Sequence, residues 1–67
     1  MNATEWLAAY AERLGVDPPT ADEMNTLLEL AGVAAHASER IAAPIACWMT
    51  ARAGRSPAEA LELAKSV

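Results

Sequence analysis

His36 and Cys47 are the only histidine and the only cysteine in the chain, so they come first in any search for acid–base or thiol chemistry. A general acid or base needs a titratable group held in a cleft beside a partner that tunes it. His36 has Arg40 one turn after it and Glu29 two turns before it, and neither supplies a cleft. It therefore reads as a partly exposed surface histidine. His36-x-x-Glu39 offers two metal ligands on one turn, whereas zinc sites take three or four protein ligands, so no metal site is expected. A thiolate nucleophile needs a positive neighbour or a helix N-terminus to lower its pKa. Cys47 lies instead in an apolar run beside Trp48, where a free cysteine behaves as a small buried hydrophobe. The chain has no glycine-rich phosphate loop, serine-nucleophile motif or paired zinc ligands. No catalytic residue and no cofactor are expected, and the chain does not read as an enzyme.

One further constellation has a chemical meaning. Ser56-Pro57-Ala58-Glu59 has the form of a helix start, with a capping serine, proline at the first position and glutamate at the third. Arg52 and Arg55 flank that start. Free N–H groups and the helix dipole at such a terminus can hold an anion. Arg52, Arg55 and Ser56 are thus a candidate anion or nucleotide site, set against the plainer reading of two solvated arginines on a loop.

The elements that must position these groups are all helical. Asn2 and Glu5 form a capping box for a first helix, on which Leu7, Tyr10, Ala11 and Leu14 recur at helical spacing. Trp6 sits one turn before Tyr10, so the rings are expected to stack. Gly15 follows where a left-handed cap belongs, and Pro18-Pro19 cannot continue the helix. Thr20 and Glu23 then form a second capping box. From Thr20 to Ala43 the chain is apolar around more than half of its girth, the mark of a central helix rather than a surface one. Its remaining strip carries Asn25, Glu29, His36 and Arg40. Pro44 breaks or kinks this stretch, with the break expected a few residues earlier, and a third helix runs from about Ala43 to Ala53 until Gly54 closes it. The fourth helix follows Ser56 to about Ser66 and is expected to bury Ala60, Leu61 and Ala64, with Leu63 and Val67 as further candidates. The expected fold is all-α, a compact four-helix bundle around its second helix, in a single domain over residues 1–67.

Composition limits what such a bundle can do. Of its hydrophobic residues seventeen are alanines, and phenylalanine is absent. A core of this kind supplies only about 3–5 kcal/mol in a chain so short, so a protein partner or a homo-oligomer is expected. Trp6, Tyr10 and Trp48 are the heaviest side chains and are expected in the core, where a chain this small needs them; an exposed tryptophan would mark a binding surface. The net charge of −4 has the wrong sign for nucleic-acid binding, which also counts against a helix-turn-helix role for helices 3 and 4. No apolar run reaches the ~20 residues of a membrane span, no signal peptide is indicated, and one cysteine forms no internal disulfide. A cytoplasmic protein is expected.

Taken together, several motifs resemble those of a small actinobacterial domain of unknown function. They are the Trp-Leu pair of the first helix, Leu27-Leu28-x-Leu30-Ala31-x-x-Ala34-x-His36, Arg40-x-Ala42-Ala43-Pro44-Ile45 and Ala51-x-Ala53-Gly54. That domain occurs alone, or attached to or encoded beside the molybdenum cofactor guanylyltransferase, which makes molybdopterin-guanine dinucleotide. The resemblance spans nearly the whole chain, with His36 to Pro44 its most distinctive block, and it carries no catalytic residue. It implies an association with cofactor biosynthesis. The reading is then a non-catalytic interaction or accessory module, with Asn25, Glu29, His36 and Arg40 facing a partner. The alternative is a small-ligand or nucleotide module at the start of the last helix.

Overall fold

Three of the four helices begin on the capping boxes that the sequence predicts. In the computed structural model, which describes residues 1–67, the elements are α1 (Ala3–Leu14), α2 (Ala21–Ala37), α3 (Ala42–Ala53) and α4 (Pro57–Lys65). Asn2, Thr20 and Ser56 each accept a hydrogen bond from the backbone N–H of the glutamate three residues on, and each glutamate carboxylate accepts one from the cap's own N–H. These reciprocal bonds satisfy donors that a helix start would otherwise leave open. Gly15 and Gly54 close α1 and α3 in the left-handed conformation, at φ 77° and 70°.

The long apolar stretch is divided between two helices. Ser38 leaves helical geometry at φ −139°, ψ −98°, while its hydroxyl and N–H both donate to the Ala34 carbonyl. The chain turns through Ser38–Ile41 and restarts at Ala42 without a side-chain cap. Pro44 occupies the first turn of α3, where its missing N–H has no intrahelical partner to lose. Arg40 and Ile41, expected on the wheel of α2, therefore lie in the turn, and Ile41 is 73% exposed instead of part of the core.

α2 is the hub. It lies close against α3 and α4, and α1 approaches the others much less closely. Leu30 of α2, only 2% exposed, meets Ala60 and Leu61 of α4, with Leu27, Val33, Cys47 and Ala64 packed around them. The result is a small all-α bundle of 33 × 23 × 18 Å. Leu63 and Val67, candidates for the buried side of α4, are exposed.

Candidate interaction surface

On α2, Asn25, Glu29 and His36 are all exposed, and their spacing sets them on one side of the helix. Arg40 follows in the turn, so the strip ends in a loop and not on a continuous helix. None of the four side chains makes a hydrogen bond or ion pair; the two ion pairs of the chain are Arg55–Glu59 and Lys65–Glu62. They form a free polar edge with no cleft beside it.

The three candidate anion-binding residues turn to other partners. Arg55 Nη1 donates to Glu59 Oε2 at 3.5 Å. The Ser56 N–H and hydroxyl both donate to Glu59 Oε1, at 3.3 and 3.0 Å. The Ser56 N–H, then the Ser56 hydroxyl and the Arg55 guanidinium, hold the Glu59 carboxyl below the usual glutamate range. Arg52 instead lies 5.0 Å from the ring centroid of Trp48, within cation–π distance. At the start of α4 the chain's own Glu59 carboxylate thus lies against Arg55 and Ser56.

Many bulky apolar side chains also stand on the surface. Trp6 and Tyr10 stack as expected, with centroids 5.0 Å apart. The stack is not in the core, since both rings are about half exposed and Trp48 is 59% exposed. In α3 the orientation is the reverse of that of an ordinary surface helix. Ala43, Ala46, Cys47 and Thr50 are half-buried, and Ile45, Trp48 and Met49 face solvent with Arg52. Small side chains let α3 approach α2 closely, and the bulky ones are left outside. Cys47 is half-buried against the Leu30 cluster. No three His, Cys, Asp or Glu side chains gather where they could hold a metal ion. The three- and four-residue spacing of Ile45, Trp48, Met49 and Arg52 puts them on one side of α3, but does not tell that this side faces outward.

A family described as a domain of unknown function (DUF6457) matches residues 1–67. The chain belongs to that family. No curated protein and no solved structure matches it significantly.

Proposed function

We propose that this chain, as a member of the DUF6457 family, is a non-catalytic helical interaction module that serves as accessory to a cytoplasmic enzyme of molybdenum-cofactor biosynthesis. One observation supports the interaction reading above the others: only 4 of 67 residues are buried, and Ile45, Trp48 and Met49 stand in solvent on one helix face. Exposed contiguous apolar surface of this kind marks places where proteins meet, and tryptophan is enriched at the energetic centres of such contacts. The choice of enzyme follows from the resemblance of the His36–Pro44 block and the flanking leucine and alanine motifs to a domain found alone or linked to molybdenum cofactor guanylyltransferase. In this reading the free polar edge of Asn25, Glu29, His36 and Arg40 supplies the specificity contacts. No helix is long and apolar enough to cross a membrane, in keeping with a role that needs no membrane span.

Calorimetric titration of the purified chain into the guanylyltransferase from the same genome tests this. The expected result is saturable binding that Arg40→Glu weakens about tenfold or more, or ~1.4 kcal/mol, with helicity unchanged. No binding by the native chain would sink the assignment to this enzyme. Equal affinity for native and Arg40→Glu would remove Arg40 from the contact.

A further inference from the structure

We infer that the outward face of α3 is a self-association surface, on which a second copy of this chain packs its own α3 antiparallel to the first. The inference rests on the interaction-module reading and narrows it by giving one face a definite occupant. Ile41, Ile45, Trp48, Met49 and Arg52 recur at intervals of one to four residues that keep them on one side of the helix line. All five are exposed, while Ala43, Ala46 and Cys47 fill the side toward α2 and α4. Within a single chain α3 buries no bulky apolar side chain, and Met49 alone edges the groove that Leu30, Ala60 and Leu63 line.

Area indicates the occupant. A folded monomer of 7.1 kDa exposes about 4,100 Å² by the scaling of surface with mass. This chain exposes 5314 Å², an excess of about 1,200 Å². The ~800 Å² per partner that a standard complex buries lies within that excess. Charge points the same way. The chain carries −4, and α1, α2 and α4 each bear acidic residues, but α3 has none and its one charge is Arg52. Two acidic copies can therefore meet on α3 without opposing carboxylates, whereas a basic partner would be drawn to the other helices.

Antiparallel packing about a two-fold axis between Ile45 and Trp48 sets Ile45 of each copy beside Trp48 of the other. Arg52 then falls at the turn that opens the second α3, where Glu39 is the nearest acid. The contact is isologous, so it closes at two copies.

Sedimentation of the full chain alone, from about 1 μM to 1 mM, tests the proposal. The expected species has twice the 7.1 kDa mass, and Trp48→Lys and Ile45→Lys each return it to the single-chain mass. Tyr10→Lys, on the exposed face of α1, leaves the dimer intact. If circular dichroism shows that either α3 variant has lost its helices, Arg52→Glu decides instead: it weakens self-association about tenfold, and adding Glu39→Arg restores it. A single-chain mass throughout the range overturns the proposal. So does a dimer indifferent to the α3 substitutions, or one lost only with Tyr10→Lys. Because the chain is measured alone, a negative result here leaves the guanylyltransferase titration standing, and the converse holds.

Discussion

Replacing Leu30 with alanine removes the most deeply buried side chain of the bundle, 2% exposed and in contact with residues of α3 and α4. The change deletes three carbons, and at ~0.8 kcal/mol per buried methylene the transfer loss alone is about 2.4 kcal/mol. A cavity would add to this, but the surrounding Leu27, Val33, Cys47 and Ala64 are only partly buried and can settle inward. The total should then fall near 3 kcal/mol, in the lower half of the range for buried Leu→Ala changes. A chain of 67 residues has a total stability on the order of 3–10 kcal/mol, so the variant should lie close to its folding threshold. Leu28, two residues earlier and 66% exposed, provides the control, with an expected cost under about 0.5 kcal/mol. Urea unfolding followed by helical dichroism, at one fixed chain concentration, gives both numbers. Equal costs for Leu30→Ala and Leu28→Ala would refute the placement of the core at the junction of α2, α3 and α4.

Glycine substitutions should diverge in sign. Gly15→Ala forces a side chain into the left-handed region at φ 77° and should cost about 1–2 kcal/mol, although the space around it is open. Gly32→Ala, mid-helix with nothing within 4 Å, should stabilise by roughly 0.5–1 kcal/mol in the same urea assay. Ser56→Ala should cost about 1 kcal/mol by loss of the α4 cap, and should raise the Glu59 pKa toward the ordinary glutamate range when its side-chain carbon is followed by NMR. The same depressed pKa predicts a pH dependence. A carboxyl whose folded pKa lies below its unfolded value adds stability above the unfolded value, and loses it as pH falls through the folded one. The stability advantage of the native chain over Glu59→Gln should therefore shrink as pH drops below about 4. An advantage that grows in acid would contradict the bonds assigned to Glu59.

Local rules carried most of the helix boundaries. Each capping box needs only four consecutive residues, so Asn2, Thr20 and Ser56 could be read without knowing the fold. The restart around Pro44 was equally local, since a proline ring constrains its own preceding turn. The wheel failed where the helix it assumed does not run on. It carried Arg40 and Ile41 along a straight axis, and Ser38 bends the chain away before either is reached. At the candidate sites residue types were legible, but their hydrogen-bond commitments were not. Nothing in Gly54-Arg55-Ser56-Pro57 shows that the Glu59 carboxylate will accept from both the N–H and the hydroxyl of Ser56.

The direction in which α3 faces is the deeper difficulty. Periodicity establishes that Ile45, Trp48 and Met49 share a side, and it is silent on whether that side meets the core or the water. Preference for burial favours the core, because large apolar residues are usually inside. That preference fails here because α2 must serve both α3 and α4 on one helix surface. Leu30, Ala60 and Leu61 already occupy the junction, and the flank left to α3 admits alanine, cysteine and threonine at close approach. With the small residues turned inward, helix geometry compels Ile45, Trp48 and Met49 outward. Had the inward side of α3 carried bulky groups, the helix would have stood off from α2 and the alanine-rich packing would have been lost. The exposure of Trp48 is thus a consequence of how the bundle packs and not a defect in it, and a surface produced by such packing is available for a second copy to cover.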